Sequence, residues 1–468
     1  MIEPTETPPG WWATVREALR GSHHDYTAGP LGRAIVLLAI PMVAEMIMES
    51  VFAVWDVYWV NHIGHNAVAT VGLTESLLTL IYTAAMGLSI GVTAVVARRI
   101  GEKNPEGAAE AAVQGIVLGL IAAAVIAVVG VTFAPRFLTL MGASPEVLLI
   151  GSTYARIMLG GNVVIVMLFL INAIFRGAGD AAIAMRVLWL ANAINIVLGP
   201  CLILGLGPFP RLGVTGAAIA TTIGRGTGVV YQLYRLWRGD ARVVIRRPQF
   251  TIQPAVMRTM LRLSGTGTLQ VLIGTASWIG LVRIVASFGS EAIAGYTTAI
   301  RIIVFALLPS WGLANAAATL VGQGLGAGQP DRAERAVWLA GFYNMLFLGT
   351  LGLLFVLLAE PIVGVFTQEP AVADVAVICL RIISYGFLFY AYGMVLTQSF
   401  NGAGDTWTPT WINLGCFWLW EIPLAVVLAR PAGFGPRGVA LAVTVAFSTV
   451  AVVSALLFRR GRWKLRRV

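Results

Sequence analysis

Glu45, Glu49 and Asp56 are the residues of this chain best placed to do chemistry. They fall within residues 34–60, a run that is otherwise almost wholly apolar. At about 100° per residue of α-helix, Glu49 lies about 40° around the axis from Glu45, and Asp56 about 20°. The three carboxylates therefore share one stripe, with Phe52 on it. A charged side chain deep in a bilayer costs about 2.5–3.5 kcal/mol on insertion scales. Three on one face cannot look at lipid, so they must face an aqueous cavity or polar partners. At close range they cannot all carry charge cheaply. A carboxyl so placed can take a proton on one side of a membrane and release it on the other. The rival use of the same residues is structural: pairing with membrane arginines, or hydrogen bonds between helices. Pro41, four residues before Glu45, can kink this helix and act as its hinge.

The elements that must position these residues are membrane spans. The chain has 468 residues, of which 58% are apolar and only 12% charged. A soluble protein carries about 25% charged residues. A soluble globular chain and a disordered one are both excluded. A helix that crosses a bilayer needs about 20 apolar residues. Twelve stretches qualify: 34–60, 66–97, 108–133, 146–173, 184–206, 213–236, 257–286, 292–320, 333–358, 371–398, 409–429 and 437–458. A β-barrel would show short alternating segments instead, and none appear. The fold class is all-α and polytopic. Residues 1–30 lack the apolar core of a signal peptide, so no cleaved signal is read there. Trp11, Val15 and Leu19 fall at helical spacing and could form a short interfacial helix, a disordered tail being the alternative.

Net charge is +10. With the N-terminus taken as cytoplasmic, the inner loops and C-terminal tail hold 20 Lys and Arg residues. The outer loops hold four: Arg136, Arg211, Arg430 and Arg437. That bias orients both termini toward the cytoplasm of an inner (plasma) membrane. The basic excess is thus a topology signal and a contact for anionic lipid, not a nucleic-acid surface.

The chain is also a duplication. FRGAGDA at 175–181 returns as FNGAGDT at 400–406, an offset of 225. IGEKNPEGA at 100–108 aligns with LGAGQPDRA at 325–333, Pro145 with Pro370, and Gly213-Val214 with Gly438-Val439, all in the same register. Six spans per copy give both copies the same orientation, a parallel repeat of the kind used by transporters. The lobes read as 31–238 and 257–458, joined by a cytoplasmic linker at 239–256. A tail at 1–30 precedes them and a basic tail at 459–468 follows. Glycine allows the tight turn of each GAGD loop. Asp180 and Asp405 can cap the next helix or hold a nearby basic residue.

Aligned on that register, Glu45 faces Gln270, Glu49 faces Gly274 and Asp56 faces Leu281. The acidic stripe belongs to the first lobe alone, and coupling is expected there. Two further acids lie inside spans, Glu75 and Glu421. Glu75 could join the stripe or pair with Arg225. Glu421 could lie in a cavity or near the outer interface. The second lobe offers aromatics that could hold an organic cation, among them Trp278, Tyr296, Tyr385 and Tyr390. At helical spacing such residues are more often core or interface belt.

Taken together the motifs resemble one family. DYTAGPLGRAIVLLAIP (25–41), D-x-x-W-V-x-x-I-G (56–64), the two F-x-GAGD loops, GVTGAAIAT (213–221) and PSWGLANAAATLVGQGLGAGQPDRAERA (309–336) look like the multidrug and toxic compound extrusion (MATE) family. The resemblance runs from residue 25 to 458. It implies two six-helix lobes around a V-shaped cavity, and cation-coupled efflux of amphipathic, often cationic compounds. It also implies that Asp56 belongs to a cation-coupling network with Asn195 and Thr221 as polar partners. The family's fifth span often reads N-x-x-x-D-P, whereas here Asn195 is followed by Gly199-Pro200. Glu49 or Glu45 could replace the missing carboxylate.

The expected activity is antiport of a small organic cation by a monomer in the bilayer. A proton is favoured over sodium as coupling ion by the surplus of carboxylates. No cofactor, metal site or nucleic-acid partner is expected. Rivals are a flippase of a lipid-linked saccharide or lipid, a membrane enzyme and a channel. No HExxH motif supports the enzyme. No pore-loop signature supports the channel.

Overall fold

The computed structural model describes residues 10–21, 24–61 and 65–468; the side chains at 56, 57, 60, 61, 65 and 66 lie outside those described. The Asp56 side chain is therefore among those not described. The described residues form seventeen α-helices and no strand. A short α1 (Trp11–Arg20) precedes the first half, α2 (Leu31–Asn61), α3 (His65–Gly101), α4 (Pro105–Leu140), α5 (Pro145–Gly160), α6 (Asn162–Ala178), α7 (Ala181–Leu204) and α8 (Val214–Arg238). The second half is α9 (Pro254–Ala286), α10 (Ser290–Gly326), α11 (Pro330–Leu357), α12 (Ala359–Phe366), α13 (Pro370–Ser384), α14 (Phe387–Gly402), α15 (Trp407–Asn413), α16 (Ile422–Ala429) and α17 (Pro436–Arg459). A π-helical segment, Leu414–Glu421, joins α15 to α16.

Ten spans are long and apolar enough to cross a bilayer, and the pair α13/α14, bent by 60°, makes an eleventh. The twelfth is α8, whose 25 residues include Thr221, Thr222, Gly224, Arg225, Gly226 and Thr227. Its polarity keeps it below the apolar level of the others, and its buried face carries the reason: Thr221, Arg225 and Gln232 point into the bundle. α1 does form. Thr14 and Ala18 are its buried residues, while Trp11, Trp12 and Leu19 stay exposed.

The repeat register reappears in the helix boundaries. α3 and α10 begin and end 225 residues apart, at His65 and Ser290 and at Gly101 and Gly326. The fourth and tenth spans are each interrupted at an equivalent glycine, Gly161 and Gly386, with nearly the same backbone angles. Each GAGD turn places a glycine at positive φ, Gly179 at 89° and Gly404 at 79°. A side chain there would clash with its own carbonyl, so the turn selects glycine. Asp180 accepts no cap hydrogen bond from α7, and Asp405 Oδ2 accepts only from the Thr408 hydroxyl of α15, at 2.7 Å. Instead each holds an arginine: Arg242 Nε lies 3.6 Å from Asp180 Oδ1, and Arg466 Nη2 lies 3.0 Å from Asp405 Oδ1.

Three apolar cores organise the molecule. One is built mainly from the first half, with Met260 and Leu263 of α9 added to it, and one belongs to the second. The third joins them: Ile35, Leu38 and Met42 at the start of α2 pack with Leu320, Val337, Phe400, Phe458 and Trp463 of the second half. The acidic helix is therefore shared. Its first turns belong to the second half's core, and its later turns lie against α7 of the first.

Candidate cation-coupling site

Glu45 is almost fully buried, 1% exposed. Its Oε1 accepts from Asn172 Nδ2 at 3.0 Å and from Arg176 Nη1 at 3.0 Å, both on α6. Asn172 is held in turn, because Gln232 Nε2 of α8 donates to its Oδ1 at 2.7 Å. Glu45 Oε2 has no hydrogen-bond partner among the described residues. A proton could settle on that oxygen without displacing Asn172 or Arg176. Arg176 stands next to the GAGD turn and reads from the sequence as a cytoplasmic loop residue. It lies instead in the last turn of α6, only 12% of its side chain exposed, as the ion-pair partner of Glu45.

One turn further, Glu49 is more open, with 27% of its side chain exposed. Asn192 Nδ2 of α7 donates to its Oε2 at 3.2 Å, and Arg225 Nη2 of α8 stands 3.7 Å from its Oε1. Arg225 is fixed by Tyr82 of α3, whose hydroxyl accepts from Nη1 at 2.7 Å. Close by in the same two helices, Asn195 Nδ2 donates to Thr221 Oγ1 at 2.9 Å, both side chains buried. The helix spacing that brings Glu45 and Glu49 to one stripe thus aims them at a row of amides on α6 and α7 and at two arginines. Gly199, where the family's pattern carries an acid, stands beside Asn195; a Cβ there would lie 3.5 Å from Asn195 Oδ1, an ordinary contact. The backbone there tolerates a Cβ. Pro41 lies inside a helix that is continuous through it.

Asn172, Asn192, Gln232 and Tyr82 complete the network and were not singled out in the sequence. Their signal was present: each amide is a lone polar side chain in an apolar run, which in a membrane must find a partner.

The other candidates lie apart. Glu75 is exposed on α3. Tyr385 is exposed at the α13/α14 bend. Tyr296, Tyr390 and Glu421 are all buried within the second half, at 1%, 3% and 1% exposure. Trp278 is half-buried, its ring centroid 6.2 Å from that of Tyr296.

This geometry can be compared with known proteins. The MatE family model matches residues 41–201 and 268–427, one match in each half and more than half of the chain. The chain belongs to the MATE family. A probable multidrug resistance protein NorM from Thermotoga maritima is 24% identical over 443 residues, 93% of this chain and 94% of that one. An FAD transporter from Shewanella oneidensis is 24% identical, covering 86% of this chain and 89% of its own. Among solved structures, the outward-facing conformation of a multidrug resistance MATE family transporter of the MOP superfamily superposes with a TM-score of 0.88 at 27% identity, covering 93% of this chain and 97% of that one. The MATE architecture of twelve helices in two parallel six-helix repeats around a V-shaped cavity is thereby the fold of this chain. It is a multi-pass membrane protein whose relatives are named as transporters.

Proposed function

We propose that this MATE protein is a proton-coupled antiporter that exports amphipathic organic cations by alternating access. The observation that carries the reading is the α2 stripe, where Glu45 and Glu49 sit among α6, α7 and α8 with an arginine counter-ion each. On protonation a carboxyl loses the charge that offsets Arg176 or Arg225. The uncompensated guanidinium then repels a cationic substrate that the carboxylate attracted. Asp56 supplies the outermost proton acceptor, Asn195 and Thr221 orient the lining, and Pro41 lets α2 bend as the site closes. A ligand can shift such an equilibrium only by its differential affinity for the two states. Proton and substrate differ in this way because they compete for the same negative charge. Sodium is the alternative coupling ion, since the carboxylate, amide and hydroxyl oxygens of this region also suit a hard cation. The protein works as a monomer in the inner membrane, with both termini in the cytoplasm.

The test is ethidium transport in proteoliposomes, under an imposed proton gradient and then an imposed sodium gradient. Efflux should follow the proton gradient, and response to neither would end the antiporter reading. Within it, Glu49→Gln and Asp56→Asn should each flatten the dependence of rate on pH. Wild-type pH profiles in both variants would remove the α2 stripe from the coupling.

A further inference from the structure

We propose that Glu421 is a second proton-binding group, set in the half of the molecule that lacks the acidic stripe. It closes the π-helical segment, a kind of turn that recurs at functional sites. Its side chain lies inside the bundle, 1% exposed. Ser277 Oγ of α9 donates to Oε2 at 2.9 Å. The other oxygen, Oε1, has no partner among the described residues.

The contrast with the first half is chemical. Glu45 and Glu49 each have an arginine, at 3.0 and 3.7 Å. Glu421 forms no ion pair with a described residue. Around it stand Ser277 from α9, the phenols of Tyr296 from α10 and Tyr390 from α14, and the thiol of Cys416 from its own segment, all within electrostatic reach. α15 and α16 contain no charged residue, α17 only Arg437 and Arg459 near its two ends, and α9 only Arg258, Arg262 and Arg283, all three exposed. The Tyr296 hydroxyl is itself buried without a partner among the described residues. Trp278, Phe417 and Phe447 fill out the enclosure: Trp278 lies against Tyr296, and Phe447 links Phe417 to Tyr390 at 5.0 and 4.9 Å. An isolated carboxylate cannot stay charged and dry without a counter-ion. The enclosure suits a proton.

Its place in the repeat supports a role. α2 and α7 of the first half correspond to α9 and the α15–α16 span of the second. In the first pair the acid, Glu49, comes from α2 and its amide, Asn192, from α7. In the second pair the acid comes from the later span and its donor, Ser277, from α9. Each half thus keeps a carboxyl at the same helix–helix seam, contributed from opposite sides.

That Glu421 binds a proton stands by itself; that this proton is coupled to transport rests on the antiporter reading. The two are separated by infrared difference spectroscopy on the full protein in detergent. Between mildly acid and alkaline pH, wild type should show a protonated-carboxyl band that Glu421→Gln removes. Ser277→Ala keeps the acid and its packing and should move the pH at which the band disappears. A spectrum unchanged by both variants would overturn the proposal, whatever the transport result. In proteoliposomes Glu421→Gln should then change the pH profile of efflux at least as much as Glu49→Gln. A band that is present with an unaltered profile would place the proton there without coupling.

Discussion

Glu45 and Glu49 are one helical turn apart on α2, and they differ in what their removal would cost. Glu45 and Arg176 form a pair with 2% and 12% of their side chains exposed. Breaking such a buried pair from one side leaves a charge without compensation and costs about 3–5 kcal/mol, whereas replacing both partners can be nearly neutral. Arg176→Met should therefore lower the melting temperature in detergent sharply, and adding Glu45→Gln should restore much of it. Additive losses in the double variant would show that the two side chains are not coupled. Glu49→Gln, where the carboxylate is 27% exposed and Arg225 keeps its bond to Tyr82, should lower the melting temperature less than Arg176→Met does. The stripe itself was legible in the sequence, because helical geometry turns a spacing of four and seven residues into one face. Its partners were less legible. Asn172, Asn192 and Gln232 show no periodicity, and Arg176 stands beside a turn motif that makes it read as a loop residue.

At the level of elements, the two halves meet through glycines that obey the same repeat. A Cβ on Gly87 of α3 would lie 2.6 Å from Thr268 N of α9, and one on Gly312 of α10 would lie 2.6 Å from Met42 O of α2. Toward the termini-bearing end, a Cβ on Gly101 would lie 2.1 Å from Gln323 O, and one on Gly326 2.2 Å from Arg98 O. Gly87 and Gly312 are 225 residues apart, as are Gly101 and Gly326, and Arg98 and Gln323. These last two also reach across: Arg98 Nη2 donates to Ala403 O at 3.3 Å, and Gln323 Nε2 to Gly177 O at 2.9 Å. The GAGD loops are therefore turns with a second use, as acceptors for the opposite half. α3 has 37 residues, about 55 Å of helix against about 30 Å of hydrocarbon, so its Gly101 end clears the lipid. Gly326→Val should prevent the backbones from meeting and abolish efflux while the protein still folds and inserts. Gly274→Ala, where a Cβ meets nothing within 4 Å, is the matching control and should transport normally. Transport by Gly326→Val at the wild-type rate would mean that this crossing is not needed in the cycle. The offset was legible because turn motifs keep their residues. The crossings were not, because a glycine required by another helix leaves no pattern along its own.

Across the whole molecule, the last residues of the chain join what the repeat divides. Trp463 is fully buried, stacked on Phe458 with ring centroids 4.4 Å apart. Lys464 holds Asp331 and Glu334 of α11 at 2.8 and 2.6 Å. Arg466 reaches Asp405, while its carbonyl accepts from Arg98 Nη2 of the first half at 2.9 Å. Val468 ends against the first half's core. The tail that the sequence offers as a basic topology signal is thus also a strap over the closed end. At the same end Arg332 of α11 donates to the carbonyls of Tyr26 and Ala28 ahead of α2. Asp25 beside them, against the cost of its partial burial, is held below the usual carboxylate range by hydrogen bonds from Lys103 and Thr27. A carboxylate held low contributes its stability above its unfolded value and loses it only as pH falls through the lowered one. Between about pH 5 and pH 8 that contact does not change. Asp25 therefore adds no proton sensitivity in this window, and the strap of Trp463, Lys464 and Arg466, which contains no histidine, sets a pH-independent bias toward closure. Ending the chain at Gly461 should weaken that bias. In a background freed of Cys201, Cys379 and Cys416, Ala97→Cys reports it, since Ala97 is buried against Gly322 at the crossing. Truncation should raise its labelling by a membrane-impermeant maleimide several-fold in inside-out vesicles, by the same factor at pH 6 as at pH 8. Equal labelling with and without the tail would show that closure is held by the glycine crossings alone.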